Sequence, residues 1–224
     1  MKNYRIALDG PSGAGKSTIA KKLSAELGFV YVDTGAMYRT IGLFCLQNNI
    51  NVCDEEKVCS VLEQIKIELK YIDGEQRILL NGTDVSKEIR MNEVSMAASK
   101  VSAYKGVRSY LLDAQRDVAK SQSVIMDGRD IGTVVLPDAE IKIFIVADPK
   151  ERAKRRHKEL LERGQQISFE EVLQDIVARD YNDEHRKEAP LKQADDAQLI
   201  DTSDMNFEQA YNAVLQTAKN KMKD

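Results

Sequence analysis

Tyr4-Arg-Ile-Ala-Leu-Asp-Gly10-Pro-Ser-Gly-Ala-Gly15-Lys16-Ser17-Thr18 is the stretch that decides the fold. Tyr4 to Leu8 reads as a short buried strand running into a glycine-rich turn. Beyond it Ile19, Ala20, Leu23 and Leu27 recur at helical spacing until Gly28, a natural helix stop. Between strand and helix, Gly10 to Ser17 fits G-x-x-x-x-G-K-[ST] at every fixed position, in the context that motif demands. Glycines let successive backbone N–H groups turn inward around an anion, and the following helix presents its positive end. Gly10, Pro11, Ser12, Gly13, Ala14, Gly15, Lys16, Ser17 and Thr18 are therefore expected to hold a nucleotide, with Lys16 reaching the β/γ-phosphates of ATP and the Ser17 hydroxyl ligating Mg²⁺.

Outward from this loop, strand and helix alternate. Phe29 to Val32 reads as a second strand ending at Asp33-Thr34-Gly35, with a helix beginning near Ala36. Ser123 to Met126 and Ile141 to Ala147 read as further short strands. Charged helices follow over Pro149 to Arg163 and about 168 to 181, then a last strand at Leu199-Ile200 and a helix from Phe207 to Lys221. Such alternation predicts a parallel sheet covered on both faces. Ile65, Ile67 and Leu69 alternate with charged residues, and the pairs Asp73-Gly74 and Asn81-Gly82 are turn signals, so residues 65–85 read as a small antiparallel insertion. Helical patterning returns over about 92 to 120, where Val107, Leu111, Leu112 and Val118 share a face. The expected fold is α/β: one domain with core about 1–60, 122–148 and 195–224, an antiparallel insertion within about 61–121, and a charged helical segment about 149–168.

The 224 residues are 42% hydrophobic and 31% charged, ordinary for a soluble globular chain that folds unaided. With 33 basic and 36 acidic residues the net charge is −3, which argues against a nucleic acid partner. The apolar start is too short for a signal peptide, and no run spans a bilayer, so a cytoplasmic location without membrane attachment is expected; the expected assembly state is a monomer. Cys45, Cys53 and Cys59 have no metal or redox spacing, and His157 and His185 stand apart from other ligands. Six arginines between Arg152 and Arg186 (Arg152, Arg155, Arg156, Arg163, Arg179, Arg186) mostly read as a solvated helical face with pairs such as Glu151/Arg155 and Glu159/Arg163, yet some are available to close over phosphates.

A P-loop alone fits a kinase, a GTPase switch, an ATPase motor or a nucleotide-holding module. Asn220-Lys-Met-Lys-Asp224 has one residue too many for the guanine-reading Asn-Lys-x-Asp, and G-x-G-x-x-G is missing, which counts against a dinucleotide enzyme. Three further segments narrow the choice: Asp33-Thr-Gly-Ala-Met-Tyr-Arg39, Asp127-Gly-Arg-Asp-Ile-Gly-Thr133 and Arg179-Asp-Tyr-Asn-Asp-Glu-His-Arg186. With the P-loop and in this order, they resemble the bacterial-type cytidylate kinases from the first strand to the last helix, and the hairpin insertion looks like the extra piece of that family, which implies one P-loop kinase domain with a monophosphate-binding insertion about 61–121 and a helical lid about 149–168.

The resemblance implies transfer of the γ-phosphoryl of ATP to CMP or dCMP, giving CDP or dCDP plus ADP. It implies that Arg39, Arg129 and Arg186 hold the acceptor phosphate, a task suited to the guanidinium fork. Ser99, Arg108 and Asp130 match the positions that read cytosine, Arg179 and Asp183 those near the sugar hydroxyls, and Thr34 and Tyr38 other acceptor-site positions; Thr34 stands where some members have serine. Lys16, Arg129 and an arginine of the lid would stabilise the transferring group. Arg155 is the lid candidate carried forward, although sequence leaves Arg152, Arg155 and Arg156 as alternatives.

Overall fold

A computed structural model describes residues 3–72, 75–162 and 164–223, so the predicted Asp73-Gly74 turn, Arg163 and Asp224 lie outside the described residues. The chain divides into two compact units, one made of Met1–Tyr31 with Ser121–Asp224, the other of Val32–Lys120.

The first unit is built on parallel strands. β1 (Arg5–Asp9) lies centrally between β6 (Val124–Gly128) and β7 (Ile141–Val146), and β7 pairs with β8 (Gln198–Asp201), all in parallel. With β2 (Val30–Asp33) at the edge, the order is β2-β6-β1-β7-β8. β1 is buried over its last four residues, as expected of a strand covered on both faces. Helices α1 (Lys16–Leu27) and α8 (Phe207–Lys223) supply Ile19, Leu23, Val214 and Leu215 to a core that also holds Ile6, Leu8, Ile125 and Ile143. Burying each of the larger of these side chains is worth about 2 kcal/mol. Gly28 closes α1 in the left-handed conformation, with φ 68°.

Helices α6 (Pro149–Glu162) and α7 (Phe169–His185) pack through Ala153, Leu160, Val172 and Ile176. Ser168 starts α7 with a reciprocal cap: its side chain accepts from Glu171 N, and the Glu171 carboxylate accepts from Ser168 N. The helix runs four residues beyond the predicted end at 181, which brings Arg179 and Asp183, four apart, onto one face. The predicted pair Glu151/Arg155 does not form; Glu151 takes Lys154 at 2.6 Å, and Arg155 turns to the Thr202 carbonyl at 2.8 Å. Glu159 pairs with Arg156, and its predicted partner Arg163 is outside the described residues.

The second unit holds α2 (Thr34–Gln47), α3 (Glu55–Ser60), the antiparallel sheet β3 (Ile67–Ile72), β4 (Glu75–Leu80) and β5 (Thr83–Asp84), then α4 (Asn92–Val101) and α5 (Lys105–Ser121). β3 and β4 pair from Ile67↔Leu80 to Ile72↔Glu75, the hairpin that the alternation predicts. α2 begins two residues before Ala36 because the Asp33 carboxylate accepts from Ala36 N at 2.9 Å and caps the helix. The single stretch expected over 92–120 is broken at residues 102–104, where Ser102 Oγ turns back to the Ser99 carbonyl. Gly106 then packs so tightly that an added Cβ would lie 2.6 Å from Cys59 Sγ. Met37, Ile41, Val94, Val101, Val107 and Leu111 form this unit's core with Ile78 and Leu80.

Candidate active site

In the first unit the phosphate loop follows β1. Gly10, Gly13 and Gly15 take φ of 143°, 76° and 85°, conformations that side chains resist. A Cβ on Gly10 would come within 2.0 Å of the Ile145 carbonyl oxygen, so the loop's entry admits glycine alone. Gly15 caps α1, whose first turn carries no acidic residue to offset the positive helix end. Lys16 is 5% exposed and Nζ donates to the Pro11 carbonyl at 2.7 Å. Burial and then the neighbouring Arg129 charge push its pKa down to about 7, against the pull of Asp127, Asp9 and Asp183. Ser17 Oγ donates to Asp127 Oδ2 at 2.6 Å, and Asp127 Oδ1 accepts from the Tyr31 hydroxyl at 3.0 Å.

Asp9 and Asp127 are buried carboxylates at the strand ends to which the sequence reading gave no role. Asp9 accepts from Ile131 N at 2.8 Å and Gly132 N at 2.7 Å, binding the end of β1 to a π-helical turn over Ile131–Val135. Burial pushes its carboxyl up to about 6 in spite of those two amides. In the sequence Asp127 shows only as a carboxylate ending an apolar strand; its place beside the P-loop strand comes from the β1–β6 pairing.

Register places the next group. Asp9 pairs with Gly128 across β1 and β6, so Gly10 and Arg129 leave neighbouring strands at the same level, about 5 Å apart in the hydrogen-bonding direction. That is the carboxyl end of the sheet, where open α/β folds collect their ligands. Arg129 Nε donates to Asp183 Oδ2 at 2.8 Å; Arg186 Nη2 reaches Asp130 Oδ1 at 3.1 Å, and its Nη1 lies 3.8 Å from Asp183 Oδ1. Burial opposes ionisation of Asp183, but Arg129, Arg186 and Arg179 outweigh it and hold the carboxyl below its usual range. Five predicted residues, Arg129, Asp130, Arg179, Asp183 and Arg186, thus form one ionic cluster.

Of the arginines on α6, Arg152 is 3% exposed and fully engaged: Nε donates to the Ala147 carbonyl, Nη1 to the Ser12 carbonyl at 3.0 Å, and both Nη atoms to Asp180. Arg155 and Arg156 are less enclosed.

The second unit carries its own group. Arg39 and Arg90 donate to Asp33 Oδ2 at 2.8 and 3.0 Å. Burial disfavours the Asp33 carboxylate, yet the two guanidiniums lower its pKa overall. Arg39 Nε is buried with no hydrogen-bond acceptor among the described residues. Thr34 opens α2, and the Arg108 guanidinium lies 5.6 Å from the centroid of the Tyr38 ring. Arg108 also donates to the Ser102 carbonyl, while Ser102 Oγ donates to the Ser99 carbonyl, so Tyr38, Ser99 and Arg108 are drawn together around the α4–α5 break.

A family model described as cytidylate kinase matches residues 6–220. The cytidylate kinase of Caldicellulosiruptor saccharolyticus is 50% identical over 216 residues, 96% of this chain and 96% of its own, and that of Thermosipho melanesiensis is 50% identical over 219 residues, 98% of each. A crystal structure of an uncharacterized protein from Eubacterium ventriosum superposes with a TM-score of 0.53 at 12% identity, covering 97% of this chain and 99% of that one, a likeness of fold alone. No helix among the described residues is long and apolar enough to cross a membrane. The chain belongs to the cytidylate kinase family, and its reaction is that of an ATP-dependent nucleoside monophosphate kinase.

Proposed function

We propose that the chain phosphorylates CMP and dCMP by direct in-line attack of the acceptor phosphate oxygen on the γ-phosphorus of ATP, with the residues named above in the assigned roles. The observation that carries this reading is the Asp9↔Gly128 register, which sets the phosphate loop and Arg129 side by side on adjacent strand ends. A loop of inward amides beside a cluster of arginines suits two facing phosphates. A monophosphate is already nucleophilic near neutral pH, so no general base is required, and positioning plus charge neutralisation supply the rate.

Lys16 supplies a cation at the β/γ-phosphates once their charge displaces its hold on the Pro11 carbonyl. Arg129 and Arg186 bind the acceptor phosphate, with Asp183 fixing their planes. Thr34, Tyr38 and Arg39 are acceptor-side residues of the second unit, and the buried Arg39 Nε suits an anion that supplies the acceptor it lacks. Ser99, Arg108 and Asp130 are assigned to cytosine, Arg179 and Asp183 to the sugar. Arg155 is the lid arginine nearest to free use, since Arg152 is spent on Ser12 and Asp180.

The hydroxyl of Ser17 and the carboxylate of Asp127 are hard oxygen donors 2.6 Å apart, a set that fits Mg²⁺. Ser17 and Asp127 would hold the Mg²⁺, which would supply positive charge to offset that of the transferred group.

A panel of CMP, dCMP, UMP and AMP with ATP and Mg²⁺, following ADP release, tests the proposal. Turnover with CMP and dCMP well above the other two is the expected result. Equal turnover with UMP or AMP would remove the cytosine assignment.

A further inference from the structure

Tyr31 sits at the end of β2's first half, 5% exposed, inside the core that holds Ile6, Leu8, Ile19 and Ile125. A phenylalanine would fill that space equally well. The hydroxyl is therefore the part that needs a reason, because burying it costs free energy unless it finds a hydrogen bond. It donates to Asp127 Oδ1 at 3.0 Å, while Oδ2 of the same carboxylate accepts from Ser17 Oγ at 2.6 Å. Because each oxygen holds a donor, rotation about Cβ–Cγ would break or bend both bonds. Asp127 is itself 5% exposed, so water is a poor substitute for the phenol.

We propose that Tyr31 is a positioning residue of the magnesium site: its hydroxyl pins Asp127 so that Oδ2 stays directed at the Ser17 hydroxyl. The inference rests on the assignment of Mg²⁺ to Ser17 and Asp127. Tyr31 touches neither nucleotide nor metal; its action passes through the carboxylate. Partners behind a metal's own ligands act in this way, fixing ligand orientation at a cost of about 10- to 100-fold in affinity when lost.

Tyr31→Phe keeps the ring and removes the hydroxyl. ATP binding is measured by calorimetry, without acceptor, once with Mg²⁺ and once with EDTA, for parent and variant, together with each protein's thermal midpoint. The expected result is Mg²⁺·ATP affinity lower by about 10-fold in the variant, with metal-free ATP affinity within about twofold of the parent and KM for CMP unchanged. A purely structural tyrosine would lower the midpoint and weaken both forms of ATP alike, and that outcome overturns the proposal, as does an unaltered Mg²⁺ response. Parent protein whose ATP binding ignores Mg²⁺ would instead sink the metal assignment, and this inference with it.

Discussion

Arg152 Nη1 donates to the carbonyl of Ser12 at 3.0 Å, fastening the first turn of α6 to the phosphate loop. The same guanidinium grips Asp180 of α7 with both Nη atoms, so the loop, α6 and α7 share one buried side chain.

Arg152→Ala is expected to lower stability by about 3 to 5 kcal/mol, the usual cost of removing one partner of a buried ion pair. Asp180 and the Ser12 carbonyl would both lose their donor. Urea unfolding of parent, single variant and Arg152→Ala/Asp180→Ala checks this: the double variant should recover part of the loss because the orphaned charge is gone. An additive pair of losses would contradict it.

Arg129→Ala should lower kcat/KM for CMP by about 100-fold or more, through kcat as well as KM, because a donor aimed at charge in the transition state is lost. Asp130→Ala should act on two fronts. Its carboxylate is assigned to cytosine, and it also holds Arg186 at 3.1 Å, so discrimination against UMP should erode while KM for every acceptor rises. Steady-state kinetics with CMP and UMP separate the two variants.

Much of this arrangement was legible in the sequence, for local reasons. The P-loop declares itself because its glycines, Lys16 and Ser17 all fall between Gly10 and Ser17, and Gly28 and Asn81-Gly82 mark ends that short-range chemistry imposes. Asp9 and Asp127 did not declare themselves. Their roles depend on β1 and β6 being neighbours, a pairing between residues more than a hundred positions apart that no local pattern records. The need for Gly106 was hidden for the same reason, since the space for its Cβ is taken by the sulfur of Cys59 on another element. Likewise the arginine-rich stretch read as one solvated face, and only packing separates the buried Arg152 from its neighbours.

Lys16 gives a pH prediction whose sign is fixed. In the nucleotide-free protein its pKa is pushed down to about 7, chiefly by burial. Phosphates bound beside it favour the charged form and raise that value. At pH 8, where the free protein has largely lost the proton, ATP binding should take one up; at pH 6, where the proton is already present, it should not. Calorimetry in buffers of different ionisation enthalpy reads the uptake directly, and Lys16→Met should abolish it.

Asp9 makes a second. Its folded pKa, raised to about 6, lies above the ordinary value of 3.8, so the folded protein binds the proton first. The contribution is favourable below the unfolded pKa and is lost as pH rises through about 6. Integrated over the window, the shift is worth up to about 3 kcal/mol. Parent stability should therefore gain on Asp9→Asn as pH falls from 8 to 5, measured by urea unfolding at both. Parallel pH curves for the two proteins would contradict the burial argument.

Gly42 tests the second unit without touching a proposed ligand contact. It lies where α2 meets α4, and an added Cβ would stand 3.0 Å from Ala98 N and 3.1 Å from Ala97 Cβ. Gly42→Val must push the helices apart, at a cost of about 1 to 3 kcal/mol for overpacking. α2 carries Thr34, Tyr38 and Arg39, and α4 carries Ser99, so their spacing changes together. KM for CMP should rise several-fold while ATP affinity, which belongs to the first unit's loop, stays near the parent value. A variant that is destabilised yet keeps its CMP KM would show that the acceptor residues on α2 and α4 do not act as a set.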